Sequence, residues 1–202
     1  MIENHPHAPC CALGDIARIF VGFSPYGRSP AGKGNHAVGM VTIKNIIDGL
    51  VQVADIDTAT VENPQKLAAY RLEPEDVLIS ARGSIFRSGI CGEGVAGLVA
   101  GSNTVVIRLN ADAPIGAGLL VALLNTPKGE ALLSSRAEGV AIQSLKIKTL
   151  QELHLTIPNK GQAQKLEELC RTQVALRRAS LAALTSHQNI VNGLIEPLLP
   201  PV

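Results

Sequence analysis

The sequence predicts an α+β fold in which a mixed, twisted sheet with packed helices is followed by one long C-terminal helix. Short apolar runs separated by glycines between residues 90 and 109 indicate strands with marked bends. An apolar segment after Pro114 indicates a helix that is buried against the sheet on nearly all sides. Residues 162–192 contain neither proline nor glycine, so they indicate one continuous helix.

Length and composition bound the organisation of the chain. Its 202 residues, of which 46% are hydrophobic, suffice for one globular domain with an appendage. The change in composition at Pro158 predicts a domain over residues 1–158 and a helix with its tail over 159–202. No apolar run reaches the ~18 residues of a membrane span, and residues 1–5 lack the character of a signal peptide. We therefore expect a cytoplasmic protein.

Cysteine and aromatic content argue against two kinds of site. The four cysteines lack the C-x2-C spacing of a zinc site, and HPHAPCC (5–11) is explained more simply as a terminal segment than as a metal site. Three Phe, two Tyr and no Trp speak against an aromatic platform for stacked bases. We expect neither a metal nor a cofactor.

The segment 76–82 predicts one half-buried strand. Alternate positions face opposite sides of a sheet, and one of the two sets comprises Val77, Ile79 and Ala81. Gly83 ends the strand and allows a sharp turn, which leaves Arg82 and Ser84 at its mouth. The guanidinium of Arg82 suits a phosphate or the acceptor edge of guanine, although a surface arginine beside a turn glycine is the simpler alternative.

The other elements follow from periodicity and from Gly and Pro punctuation. A short helix or strand is expected at 13–19, and a Gly-, Pro- and Ser-rich loop at 22–39. Further strands are expected at 38–46, 50–53, 90–91, 95–100, 104–109 and 154–157. Helices are expected from Pro114 to residue 124, at 128–136 and from the cap residue Asn159, with an exposed linker at 141–144.

Charges are segregated along the chain although the net charge is only +1. Residues 16–47 hold four basic residues and no acid, whereas 48–76 hold seven acids against two basic residues. Positive charge returns in residues 82–87 and again in 136–148. We expect the basic segments to share one phosphate-facing surface while the acidic segment faces elsewhere; chance segregation is the alternative.

Four segments resemble the DNA-specificity (S) subunit of type I restriction-modification systems. LEPEDVLISARGS (72–84) is similar to the strand that recurs in each target recognition domain of that family. LGDIARIFVGFSP (13–25) resembles the opening of the domain, VTIKNI (41–46) an inner segment, and IQSLKIKTLQELHLTIPN (142–159) its close. The family's full-length subunits carry two recognition domains and two long helices, whereas this sequence carries one of each.

The resemblance implies a non-catalytic subunit whose domain over 1–158 reads one half of a bipartite site in double-stranded DNA. Methyltransferase (M) subunits would supply S-adenosylmethionine and methylation, and the arrangement leaves room for a restriction (R) subunit. Catalytic motifs such as a P-loop or a nucleophile elbow are absent from the sequence, and no neighbouring residue supports Cys91 as a nucleophile. The alternative is a structural or assembly-modulating half-subunit that binds methyltransferase or other specificity subunits without reading sequence.

The candidate DNA-binding residues combine the basic segments with polar side chains beside the resemblance segments. They are Arg28, Lys33, Lys44, Arg82, Ser84, Arg87, Gln143, Ser144 and Lys146. Such side chains donate to phosphates or to base edges, although the two residues of the 141–144 linker are equally explained as loop filler.

One face of the long helix is a candidate dimerisation surface. Its residues are Leu166, Leu169, Cys170, Gln173, Arg177, Leu181, Leu184 and Val191. Two chains whose helices pair antiparallel would restore two recognition domains, so we expect a homodimer that reads an inverted repeat. Docking of this face on its own domain, or on a methyltransferase subunit alone, is the alternative.

Overall fold

The computed structural model describes residues 9–24, 36–139 and 143–198. The strands are β1 (Cys10–Ala12), β2 (Ala17–Val21), β3 (His36–Val41), β4 (Ile46–Ile47), β5 (Leu50–Val51), β6 (Asp57–Val61), β7 (Val77–Ser80), β8 (Ser88–Ile90), β9 (Val99–Ala100), β10 (Thr104–Leu109) and β11 (His154–Thr156). The α-helices are α1 (Leu13–Ile16), α2 (Ala117–Leu124), α3 (Pro127–Arg136), α4 (Ile147–Gln151) and α5 (Lys160–Ile195). The predicted α+β class with a long C-terminal helix is confirmed. Within the described ranges, none of these helices has the length and hydropathy to cross a bilayer.

The largest sheet has the strand order β2-β10-β7-β8-β5-β4, and β7 lies in its middle. The alternation predicted for β7 is confirmed, because Val77 and Ile79 pack with α2 while Leu78 packs with a second apolar cluster on the opposite face. The prediction that β7 is half-buried is wrong. Residues such as Val95 and Ala100 cover the second face, so the strand is buried on both sides.

A smaller sheet, β6-β3-β9, lies beside the first. The sequence did not predict strand β6, because DTATV contains only two apolar residues, Ala59 and Val61. Both are buried in the structure. The strand predicted at 38–46 already ends at Val41, and a 3₁₀ turn follows at Ile43–Asn45. Buried Asn45 closes that turn, because its Oδ1 accepts from the backbone N of Thr42 at 2.9 Å. Lys44 therefore lies in a turn and not in a strand.

Because β2, β10, β7 and β8 are antiparallel, their strand ends lie along two opposite sides of the sheet, and we call these sides its edges. Strand β7 ends beside the beginning of β8 and of β10, so residues 81–87, 101–103 and the bonded segment 143–145 form what we call the upper edge. Strand β7 begins beside the end of β10, so residues 73–76 and 110–116 form the lower edge.

Helix α5 is about 54 Å long at 1.5 Å per residue. The predicted cap is confirmed, since Asn159 Oδ1 accepts from the backbone N of Gln162 at 3.0 Å. Its first half packs against α2, which is buried along most of its length as predicted. Beyond Leu181 nearly all residues of α5 are exposed.

Candidate nucleic-acid interface

The 81–87 loop at the upper edge is anchored by backbone hydrogen bonds on both sides. Ala81 N donates to Asn103 O at 2.8 Å, and Leu145 N donates to Ala81 O at 3.0 Å. Gly83 N donates to Gln143 O at 3.1 Å, and its φ of 131° is a conformation that glycine tolerates and other residues rarely adopt. The turn predicted at Gly83 is therefore present, and the loop has a defined shape.

A side-chain clamp fixes the far half of this loop. Buried Ser80 donates its Oγ proton to Ile85 O at 3.2 Å, and the same Oγ accepts from Arg87 N at 2.9 Å. Phe86 inserts into the core and is 1% exposed. These contacts hold Arg82, Ser84 and Arg87 on the outside of the loop, where all three are exposed.

The loop brings distant candidate residues together. Arg82 and Ser144 are paired across an antiparallel bridge, which places Gln143 and Ser144 beside the 81–87 loop. Within the described part of the chain, the guanidinium groups of Arg82 and Arg87 have neither a hydrogen bond nor an ion pair. Lys146 lies next to this group, but its Nζ is paired with Glu138.

The structure places Lys44 in a different setting. Its Nζ lies 2.7 Å from Asp57 Oδ1 and 3.2 Å from Asp55 Oδ2. Hydrogen bonding to Asp57 and then to Asp55 raises the pKa of Lys44, and the bond from Lys44 lowers the pKa of Asp57. Acids of the 48–76 segment thus neutralise Lys44, contrary to the expectation that this segment faces away from the basic residues. Arg28 and Lys33 lie outside the described residues.

The lower edge contains an arginine cluster that the sequence analysis missed. Arg108 donates from Nε to Asp76 Oδ1 at 2.7 Å and from Nη2 to Asp76 Oδ2 at 2.8 Å, while Asp76 is only 1% exposed. The third guanidinium nitrogen of Arg108, Nη1, pairs with Glu73. The sequence does contain one signal for this pair. Asp76 stands at the start of an apolar strand, and a carboxylate that is buried there requires a partner.

Helix α5 is attached to the lower edge by polar contacts as well as apolar ones. The Glu167 carboxylate accepts from Leu119 N at 2.7 Å and from Gly118 N at 3.2 Å, so it caps the first turn of α2. Arg171 bridges Glu167 to Glu75. Gly116 gives this carboxylate room, since a Cβ at that position would collide with it.

The predicted dimerisation residues separate into two groups. Leu166, Cys170 and Leu181 pack against the core of their own domain, and Arg177 Nη1 donates to Asp48 O at 2.6 Å. Leu169, Gln173 and Leu184 are exposed, and Val191 is partly buried. A different exposed series repeats every seven residues, which we call the outer stripe: Leu169, Leu176, Ala183 and Ile190.

The chemistry available at the upper edge is hydrogen-bond donation and attraction of anions. Cys91 lies elsewhere, in the core, where burial and then the nearby Asp76 raise the pKa of its thiol. A protonated, buried thiol is a poor nucleophile. In the described ranges, no three His, Cys, Asp or Glu side chains are grouped so that they could hold a metal ion.

Comparison with known proteins gives a clear result for the fold. No family model and no curated protein matches the sequence. The S subunit of a type I restriction-modification system from M. genitalium superposes with a TM-score of 0.58 at 13% identity, over 98% of this chain and 46% of that one. The chain has the fold of a type I specificity subunit.

Two further structures agree with this assignment. The HsdS subunit of Thermoanaerobacter tengcongensis has a TM-score of 0.55 at 19% identity, over 87% of this chain and 42% of that one. A chain from a study of complex assembly and conformational transition of the type I R-M system has a TM-score of 0.57 at 17% identity, over 96% and 45%. The chain thus spans less than half the length of each of these three chains.

Proposed function

We propose that the chain is a half-length, sequence-specific DNA-recognition subunit of a type I restriction-modification complex. It reads one half of a bipartite site and directs methyltransferase subunits, and it performs no catalytic step and binds no cofactor itself. The observation that carries this proposal is the pair of exposed guanidinium groups, Arg82 and Arg87, on an anchored loop without an acidic partner in the described chain.

The anchored backbone of the 81–87 loop and its positive charge, unpaired in the described chain, together favour this role. Hydrogen bonds at Ala81, Gly83 and Ser80 already order the loop in the free protein. Binding therefore does not incur the free-energy cost of ordering this backbone. Arginine can bind guanine with two hydrogen bonds or pair with phosphate, and Ser84 and Gln143 supply further donors and acceptors. We therefore assign the upper edge to the major groove.

The experiment compares three single-charge removals in the full chain. Arg82→Ala and Arg87→Ala are expected to weaken binding to a duplex that the wild-type chain selects from a randomised pool. Lys66→Ala removes an equal charge from an exposed position in the Pro64–Tyr70 turn and serves as the control. Loss on the selected duplex alone indicates base readout, while an equal loss on all duplexes indicates phosphate contact. Unchanged affinity and salt dependence in both arginine variants would refute the proposed interface.

The second part of the proposal concerns assembly. We propose that two copies pair through the outer stripe of α5 with antiparallel helices, so that Leu169 of one copy lies near Ile190 of the other. The inner residues Leu166, Cys170 and Leu181 meanwhile fix each helix to its own domain. Such a dimer presents two identical recognition domains and should read an inverted repeat.

Sedimentation of the purified chain tests this arrangement. Leu176→Asp combined with Ile190→Asp should convert a dimer into a monomer, because both side chains are exposed on the outer stripe. Lys165→Asp with Ser186→Asp adds acidic residues to α5 outside the stripe and is the control. A wild-type monomer at micromolar concentration would contradict the homodimer. A dimer that binds all sequences equally would favour the structural half-subunit instead.

A further inference from the structure

We infer that Ile85 is a specificity-determining residue that contacts the C5-methyl group of a thymine in the major groove. This inference rests on the proposed function, since it concerns the base that the upper edge reads. It assigns a role to a residue that lies between the proposed polar contacts Ser84 and Arg87 and that has no polar side-chain group of its own.

The exposure of Ile85 is unusual for the domain. Its side chain is 53% exposed, and among the described residues before α5 the next most exposed large apolar side chain is Val53 at 42%. The adjacent Phe86 is 1% exposed. The loop therefore buries one of two neighbouring apolar residues and turns the other into solvent.

The backbone holds Ile85 in this position. Its carbonyl oxygen accepts from Ser80 Oγ at 3.2 Å, and the same hydroxyl accepts from Arg87 N at 2.9 Å. The anchored backbone directs residue 85 away from the core, where Phe86 lies instead. The apolar surface of Ile85 is thus available to a ligand that removes it from water.

The neighbours of Ile85 identify the kind of ligand. Arg82 and Arg87 lie on the same loop, and neither has an ion-pair partner in the described chain, so an apolar protein surface would have to bury unpaired charges. DNA avoids this penalty, because its phosphates neutralise the guanidinium groups. In the major groove the thymine methyl is the apolar feature among the base edges.

The decisive measurement is a double-mutant cycle that combines truncation of the Ile85 side chain with removal of one thymine methyl group. The wild-type chain, Ile85→Ala and Val53→Ala are titrated by fluorescence anisotropy with the selected duplex, and with versions in which single thymines are replaced by deoxyuridine. Deoxyuridine lacks only the methyl group. At one position the wild type should lose about four-fold in affinity, the value of one buried methyl or methylene. Ile85→Ala should be insensitive to that replacement, and Val53→Ala should behave as the wild type.

Other outcomes overturn the inference in distinguishable ways. Selective binding in which Ile85→Ala and the wild type lose equally at every deoxyuridine refutes the role of Ile85 and leaves the proposed function intact. A selected half-site without thymine does the same. If the wild-type chain selects no sequence at all, both the inference and the proposed function are refuted.

Discussion

The two edges of the central sheet use arginine in opposite ways. At the lower edge, Arg108 pairs with Asp76 and Glu73, and Arg171 bridges Glu75 and Glu167. At the upper edge, Arg82 and Arg87 have no such partner among the described residues, and both are exposed. The comparison shows that an arginine beside a sheet is a candidate ligand contact only when the fold leaves its charge unneutralised.

The difference has a physical origin in burial. Asp76 is almost completely buried at the start of β7, so its carboxylate needs the donors of Arg108 and the backbone N of Glu73 at 2.8 Å. Hydrogen bonding to Asp76 is also the leading cause that raises the pKa of Arg108. The lower edge therefore uses its positive charge for stability, whereas the upper edge leaves its charge without a partner in the described chain.

Breaking the lower-edge pair should have the largest effect. Asp76→Ala leaves the guanidinium of Arg108 without its main partner and should lower the free energy of unfolding by about 3 kcal/mol. Urea denaturation measures this loss. Asp112→Ala removes an exposed carboxylate that has no ion pair within the described residues and is the matched control, with an expected change within about 0.5 kcal/mol. A loss below ~1 kcal/mol for Asp76→Ala would show that the pair is not structural.

Removing charge at the upper edge should affect binding and not stability. Arg82→Ala should reduce affinity for the selected DNA by about 2 kcal/mol if the guanidinium contacts guanine. Its free energy of unfolding should stay within about 0.5 kcal/mol of the wild type, since the side chain is exposed and unpaired in the described chain. Denaturation and anisotropy on the same preparation separate the two effects. A destabilised Arg82→Ala variant would remove the contrast between the edges.

Weakening the attachment of α5 to its domain should have an intermediate effect on stability. Glu167→Ala removes the acceptor for Gly118 N and Leu119 N and should cost about 1 kcal/mol of stability, as for loss of a helix cap. Glu168→Ala, one residue further along the same helix, removes an equal charge from an exposed side chain and should be neutral. Thermal unfolding of the two variants side by side decides; equal melting temperatures would contradict the assigned cap.

The smallest effect on stability is expected from replacing Lys44, an exposed residue that is also paired with acids but lies outside the lower edge. Lys44→Met removes the hydrogen bond that lowers the pKa of Asp57, so that pKa should rise toward its ordinary value. With the folded pKa below the unfolded value of about 3.9, the pair stabilises the protein above that pH and loses its effect as pH falls through the folded pKa. NMR titration of Asp57 measures the shift, with Lys66→Met as control. An unchanged titration would mean that the pair does not persist in solution.

Local sequence patterns were sufficient for those parts of the molecule that local physics determines. Alternation predicted the two faces of β7, and the Asn159 cap together with the absence of proline and glycine predicted α5. Punctuation by Gly83 located the turn after Arg82. Each of these features depends on the backbone preferences and hydrogen bonds of residues that are close in sequence.

Tertiary structure alone decided which charges are paired and which apolar faces are covered. Arg108 reaches Asp76 across 32 positions, and Ser144 meets Arg82 across an isolated bridge. Strand β6 gained its place from pairing with β3, and the inner side of α5 gained its partner from α2. These contacts depend on strand register and helix packing, which place residues that are distant in sequence side by side. A periodic pattern shows that a face is apolar, and only the packed fold shows what covers it.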